Sequence, residues 1–474
     1  MTTPAGGPAA DTFRSQRGLL LAVMCVGMFL VQLDVTVVNV ALPAIRTGLA
    51  TGLAGQQWVV DAYAVVLASL LLLGGTVGDR FGHKRVVLLG LGLFGAASLV
   101  CGLAPSVAVL VAARAMQGVG AALLLPGTLA VITRAYPGRR EQARAVGIWA
   151  GVSALALPAG PLLGGALVSG LSWRAVFLIN IPIIAVAAPA AVKLVRETTE
   201  SATRRLDVPG GAMAAVALAG VVFAVISTGH HGPGTTVWVA AALAVAALVG
   251  FVLRERHTAE PMLPLSLLRS PAFTGANLVA AAMNLAGIGT VFVATLYLQS
   301  VQHHSAFTAG VMLLPLFAPL AALAPITGRL TARFGPRPPM TAGLVLGAAG
   351  SAALVGLTPA SSYLRFLPVL LGLGIGMGLL TAAVVAAAVR SVPAERSGLA
   401  SGVNNTARQA AGALAIAVYG VLAGSPTRPD RFTDGLGAIG ILGAAVWLAA
   451  LILTWLTIRR ARPPRPPGTE DSLM

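Results

Sequence analysis

The chain has little charge. Only 10% of its 474 residues are Asp, Glu, Lys or Arg, against about 25% in a soluble globular domain. With 57% hydrophobic residues and a mean hydropathy of +0.86, most of it must sit in lipid. Acids are scarcer still, 15 against 32 basic residues, for a net charge of +17. That charge does not point to nucleic acid, because the basic residues fall in short breaks between apolar runs rather than on one face or tail. There are only two cysteines, Cys25 and Cys101, each in or at the end of an apolar run, so no disulfide framework is implied. No Walker A sequence occurs, which excludes ATP hydrolysis, and Gly90-x-Gly92-x-x-Gly95 follows no strand, which excludes a dinucleotide site. The pairs His230-His231 and His303-His304 have no carboxylate or thiolate beside them, which argues against a metal centre. Met1 to Arg17 is polar and small, without the pattern of a signal peptide.

What the chain does have is apolar runs. A membrane span needs about 20 mostly apolar residues, and fourteen such runs are present: 18–41, 58–78, 86–104, 107–133, 146–168, 175–195, 208–228, 236–253, 272–299, 306–328, 340–358, 364–389, 396–423 and 435–457. The 56 glycines suit helices that approach closely in lipid. An even count places both ends on one side. Twenty-five of the 32 lysines and arginines lie in the terminal segments and every second loop, and five lie in the other loops. By the positive-inside rule both termini are expected to be cytoplasmic. The Arg/Pro-rich tail after Ile458 reads as disordered.

The first run contains Leu33-Asp34-Val35-Thr36-Val37-Val38-Asn39. A carboxylate at bilayer depth is costly, faces a protein interior or a watery cavity, and marks an ion or substrate path; the bland alternative is a satisfied helix–helix hydrogen bond. At 1.5 Å per residue, Asp34 lies roughly 10 Å below the outer end of its span, Arg114 roughly 10 Å below the outer end of the fourth, and Asp61 roughly 5 Å below that of the second. Gln32, Thr36 and Asn39 share one face of the first span. Asp34 points about 160° to 200° away from them. That face either lines a substrate cavity or bonds to a neighbouring span. Asp61 is a second candidate for relaying a proton or attracting a cationic substrate; its alternative is a surface group beside an interfacial belt of Trp58 and Tyr63.

The chain also repeats itself. Gly75-x-x-x-Asp79-Arg80-Phe81-Gly82 follows the second run, and Gly328-x-x-x-Ala332-Arg333-Phe334-Gly335 follows the tenth, an offset of 253 positions that also carries the first run onto the ninth. Two six-helix units with a two-helix insertion are therefore expected, in an all-α integral membrane fold of 14 transmembrane helices. The expected boundaries are 1–17 for an N-terminal tail, 18–195 and 261–457 for the bundles, 196–260 for the insertion and 458–474 for a C-terminal tail. Two similar halves point to a transporter with its site at their interface. The second unit has no acid within its spans: Glu395 sits at an inner edge, Asp430 and Asp434 sit outside, and Leu370 and Ala332 stand where Arg114 and Asp79 stand in the first. Its polar cavity candidates are Asn277, Asn284, Gln299, Asn404, Asn405 and Arg408, which suggests neutral, weakly charged or anionic substrates.

These residues resemble the major facilitator superfamily, in its fourteen-span drug:proton antiporter branch. The resemblance is carried by the loop after the second run, by Leu110-x-x-x-Arg114-x-x-Gln117-Gly118-x-Gly120, and by Gly160-Pro161-x-x-Gly164-Gly165. Trp173-Arg174-x-x-Phe177-x-x-Asn180-x-Pro182, the opening Leu33-Asp34 stretch and Gly402-Val403-Asn404-Asn405-Thr406-x-Arg408-Gln409 complete it. Similar proteins of this length export antibiotics, methylenomycin, puromycin and lincomycin among them. The resemblance implies a multi-pass protein of the bacterial cytoplasmic membrane, a monomer that exchanges protons for a small hydrophobic drug, with no cofactor beyond the proton. It implies that the first and fourth spans are neighbours, so that Asp34 meets Arg114. A change of neighbour then becomes a change of proton affinity, with Asp34 as carrier; Arg114 cannot carry the proton, since a guanidinium stays charged. The alternative is a fixed ion pair that only aligns helices. It also implies that Asp79 and Arg80 form a gating latch, with Gly82 in the tight turn and Arg134 as a partner. Pro158, Gly160 and Pro161 bend the fifth span, and Gly164 and Gly165 give it a smooth surface against the opposite half. A metabolite carrier of the same superfamily is the alternative function. An enzyme or pore is disfavoured, because the sequence offers no clustered nucleophile, metal ligands or charged ring.

Overall fold

The computed structural model describes residues 8–197, 207–258, 261–393 and 396–458, and only the backbone of 8–15, 139, 143, 230 and 231. Residues 1–7 of the expected N-terminal tail, all of the C-terminal one after Ile458, part of the linker before the insertion, and Glu395 lie outside the described residues, whereas 8–17, expected as tail, are the first turns of α1. Sixteen α-helices run in order: α1 Pro8–Gly48, α2 Leu53–Phe81, α3 His83–Leu103, α4 Val107–Ala135, α5 Arg139–Gly170, α6 Ala175–Leu178, α7 Asn180–Leu194, α8 Val208–His231, α9 Thr235–His257, α10 Pro271–Leu296, α11 Ala306–Met312, α12 Leu314–Phe334, α13 Arg337–Ala352, α14 Tyr363–Arg390, α15 Ser397–Ala423 and α16 Pro429–Thr457. No strand occurs among the described residues.

Two expected spans are each built from two helices. The sixth breaks at Ile179 between α6 and α7, and the tenth at Leu313 between α11 and α12. Thirteen helical segments among the described residues are long and apolar enough to cross a membrane. The segment expected at 340–358 contributes only the 16 residues of α13, about 24 Å of helix, followed by turns to Gly356. It falls short on length, yet it packs between α14 and α16.

The sequence repeat is a repeat of packing. In the first half α2 and α3 pack on α4, α1 on α5, and α3 on α7. In the second α12 and α13 pack on α14, α10 on α15, and α13 on α16. The two Arg-Phe-Gly corners match as well. Gly82 and Gly335 take positive φ, +94° and +82°, a region that favours glycine. Arg80 lies over Phe81 at 5.6 Å, and Arg333 over Phe334 at 5.1 Å.

The halves touch mainly along two seams, α2 against α15 and α5 against α11 and α12, and α1 also meets α10 and α11 between them. The inserted pair covers one of them: α8 packs on both α2 and α15, with Val222 and Ile226 against Val65, Ala413 and Ala417, while α9 packs on α8. Arg80, Arg134, Lys193, Arg254, Arg333 and Arg390 all close their helices at one end of the bundle, here the basic face. Toward the opposite face the seams are tight. Gln299 Nε2 donates to Val40 O at 3.0 Å, Gln57 Nε2 to Ile416 O and Ala417 O at 3.0 Å each, and Phe307 N to Ser169 Oγ at 3.3 Å. Toward the basic face they loosen along α5 and α12. Cβ atoms at Gly147, Gly151 and Gly328 would meet nothing within 4 Å, and Ile148 and Phe334 are exposed.

Candidate functional site

The first half is centred on one guanidinium. Arg114 projects from the first third of α4 and is fully buried. Its Nη1 forms an ion pair with Asp34 Oδ2 of α1, with both side chains sealed from solvent. Its Nε donates to Val59 O of α2 at 2.9 Å and its Nη1 to Gln117 Oε1 at 2.8 Å. The planar group lies 4.4 Å from the Tyr63 ring centroid and 5.8 Å from that of Phe177, a stacking that suits a weakly hydrated cation. Tyr63 is held in turn by its hydroxyl, which donates to Val31 O at 3.1 Å. The polar shell continues: Gln117 Nε2 and Asn180 Nδ2 both donate to Ser98 Oγ, at 2.8 and 3.1 Å. Two atoms of the pair have no hydrogen-bond partner, Asp34 Oδ1 and Arg114 Nη2. A buried polar atom left unpaired is destabilising, so the pair is held but not saturated.

Asp61 is not a surface group beside an aromatic belt. It is fully buried, and neither carboxylate oxygen has a hydrogen-bond partner. Along α2 it stands one turn after Gln57, which grips α15, and one turn before Val65, which packs on α8 and α15. At 100° per residue these three share a face, so Asp61 is directed at the junction of α2, α15 and inserted α8. Tyr63, expected in the same belt, lies under Arg114 instead.

The face of α1 expected to carry Gln32, Thr36 and Asn39 is divided. Gln32 is half-buried. Thr36 donates to Leu33 O at 3.2 Å and packs against Gly160 of α5, where a Cβ would collide with it. Asn39 donates to Val35 O at 2.8 Å, and its side chain lines a small cavity between the halves with Val35, Tyr63, Arg114, Ile288 and Gln409. In the second half two rungs link α10 to α15. Asn404 Nδ2 donates to Asn277 Oδ1 at 3.2 Å; Arg408 Nε donates to Asn284 Oδ1 at 3.3 Å, while Asn284 Nδ2 donates to Arg408 O at 3.0 Å. Asn405 is half-buried beside them. Gln299 lies apart from this group, in a π-helical turn at Tyr297–Val301, as part of the seam.

Among the expected gating residues, Asp79 Oδ1 lies 3.4 Å from His83 Nε2, one turn on across the Gly82 corner. Asp79 also borders a cavity of about 270 Å³ at the basic face, with Thr76 of α2, Gly402 of α15 and Asp207. A Cβ on Gly82 would strike the Glu197 carboxylate. Arg134 is half-buried in the last turn of α4. Pro158 and Pro161 sit inside α5, which continues through both. Gly160 and Gly164 face α1 of their own half, and Gly165 faces Ala306 and Phe307 of α11. Of the two glycines expected to face the opposite half, only Gly165 does so. Reasoning from sequence missed the Gln117–Ser98–Asn180 shell and the grip of Gln57 on α15. Gln117 and Asn180 had signalled themselves only as letters of longer motifs.

Residues 24–416 match the family model described as the Major Facilitator Superfamily. The chain is 37% identical over 453 residues to the methylenomycin A resistance protein of Streptomyces coelicolor, covering 95% of this chain and 92% of that one. It is 37% identical over 478 aligned positions to the cephamycin export protein of Amycolatopsis lactamdurans, covering 98% and 96%. In fold it is similar to a bacterial homolog of the human lysosomal transporter Spinster, solved inward-facing and unoccupied, with a TM-score of 0.65 at 18% identity, covering 96% and 98% of the two chains. The paired halves, the motifs at their corners and these likenesses agree: this chain is a membrane transporter and belongs to the Major Facilitator Superfamily.

Proposed function

We propose that the chain is a proton-coupled antiporter that exports hydrophobic drugs or antibiotics across the bacterial cytoplasmic membrane by alternating access, with Asp34 as the proton carrier. The observation that carries this reading is the sealed Asp34–Arg114 pair, with one carboxylate oxygen left unpartnered. It stands in a chain similar end to end to resistance and export proteins. A carboxylate held against a guanidinium keeps its charge; moved off it within a dry interior, it takes a proton. Asp34 rides on α1 and Arg114 on α4 of the same half, so the change of neighbour requires α1 to shift against α4 as the halves rock. The basic face is taken as cytoplasmic by the positive-inside rule. The seams then describe a form open to the cytoplasm, ready to take drug from inside. Asp61, at the α2–α8–α15 junction, is a second acid on the same path, and the corner around Asp79, Arg80 and Gly82 is the latch that closes the basic face.

The test is drug-driven proton flux in proteoliposomes. A panel of methylenomycin A, cephamycin, tetracenomycin C, puromycin and lincomycin is offered against an imposed pH gradient, with wild type beside Asp34→Asn. At least one compound is expected to collapse the gradient in wild type and none in the variant. A gradient that no antibiotic collapses, while a common metabolite does, would favour a metabolite carrier instead.

A further inference from the structure

Two guanidiniums lie inside the membrane bundle, and the structure treats them differently. Arg114 has its carboxylate built in. Arg408 has none: no Asp or Glu occurs within α10–α15, and those of α16, Asp430 and Asp434, stand in its first turns. Arg408 is 11 residues into α15, roughly 16 Å along the helix, about midway through a hydrocarbon core of about 30 Å. Among the described residues its one side-chain hydrogen bond runs from Nε to Asn284 Oδ1, and Asn284 Nδ2 donates back to the Arg408 carbonyl. Its two terminal nitrogens have no partner among the described residues and are not sealed off by the protein. Gly412, one turn further along α15, and Gln409 line the cavity shared with Arg114 and Asn39. Arg408 therefore stands within one helical turn of that cavity's lining, with its fork of terminal N–H donors unused among the described residues.

We propose that Arg408, oriented by Asn284, is the receptor for a carboxylate on the transported molecule, so that the preferred substrates are amphipathic monoanions. The geometry follows from the guanidinium itself. Tying Nε to an amide fixes the plane and leaves the two terminal nitrogens, whose parallel N–H groups match the two oxygens of a carboxylate. No second cation lies within α10–α16 away from the helix ends, which suits one negative charge rather than a phosphate dianion. Neither acid of the first half's interior is bonded to it: Asp34 is taken by Arg114, and both carboxylate oxygens of Asp61 lack a hydrogen-bond partner. An intramembrane charge whose only partner is an amide marks a ligand path by default. The Asn277–Asn404 rung, nearer the basic face, lies along the approach from that side.

This inference names the substrate class for the export reading above and is tested by a measurement independent of it. N-dansyl-phenylalanine, a monoanion at neutral pH, and its neutral methyl ester are titrated by fluorescence onto the purified full chain in nanodiscs. The carboxylate is expected to bind about tenfold more tightly than the ester, as a charge-assisted bidentate contact implies. Arg408→Gln is expected to bring that ratio close to one, and Arg408→Lys to leave it in between. A wild-type ratio near one, including failure of both probes to bind, overturns the proposal. So does a Gln variant that weakens both probes by the same factor and preserves the ratio, since that is the signature of a merely structural arginine. Uptake of the same two probes into everted vesicles under a pH gradient separates the two readings. Ester transport without carboxylate preference leaves proton-driven export standing and removes this proposal. Arg408-dependent carboxylate binding without gradient-driven uptake of either probe does the reverse.

Discussion

A single added methyl group should tip this transporter toward its other face. Gly165 of α5 meets α11 so closely that a Cβ there would lie 2.6 Å from Phe307 Cα and 2.7 Å from Ala306 O. Both are backbone atoms and cannot rotate away, so Gly165→Ala must push α5 and α11 apart. Overpacking of this kind costs about 1–3 kcal/mol, charged only to the form in which these helices touch. If the alternate form relieves the contact, its population rises by about 5- to 150-fold. The assay is a distance distribution between spin labels at Gly147→Cys and Gly328→Cys, both in open space at the basic face. The native thiols Cys25 and Cys101 are buried and take little label. The short-distance population should grow in Gly165→Ala and remain unchanged in Gly170→Ala, whose Cβ would also meet nothing within 4 Å. Identical distributions for the two variants, or a longer basic-face distance in Gly165→Ala, would refute the rocking of the halves about this contact.

Further outcomes concern the charged centre and the corners. Arg114→Met leaves the sealed Asp34 without its cation and should lower stability by about 3–5 kcal/mol, read as denaturant-induced unfolding in detergent. Asp34→Asn combined with Arg114→Met should recover at least about 1 kcal/mol over the sum of the single changes, and strict additivity would show that the pair is not coupled. Gln57→Leu removes two donors to carbonyls of α15 and should weaken the α2–α15 seam by about 1–2 kcal/mol. Faster amide exchange toward the opposite face of α15 is the readout, and unchanged protection would contradict it. Gly82→Ala places a Cβ at φ +94° against Glu197 and should cost about 1–3 kcal/mol, whereas Gly92→Ala, with nothing within 4 Å, should not destabilise.

Apolar runs and basic breaks read cleanly because lipid demands them along the whole chain, and thirteen of the fourteen runs coincide with helical segments long and apolar enough to span, among the described residues. The depth of Asp34 and Arg114 was equally legible, since rise per residue puts both at one level and the resemblance makes their helices neighbours. Breaks inside runs were not legible. Ile179 and Leu313 interrupt helices without any loss of hydrophobicity, and α13 stops early although Leu354 and Leu357 continue its apolar pattern and are buried. For Asp61 depth along the helix left a surface alternative open, because it says nothing of what covers the side chain, and the residue is fully buried. The placement of that insertion was hidden for the same reason: α8 meets α2 and α15 through Val222, Ile226 and alanines, side chains equally suited to facing lipid. Ser98, the hub of the shell behind Arg114, is a single hydroxyl in an apolar helix, and only its three-dimensional neighbours Gln117 and Asn180 distinguish it.

The most direct measurement is proton release from the purified protein, followed with a pH-sensitive dye, when an antibiotic of the panel above is added. Wild type should release protons on binding and Asp34→Asn should release none while still binding the drug. Undiminished release from Asp34→Asn would show that the carrier of the proton lies elsewhere.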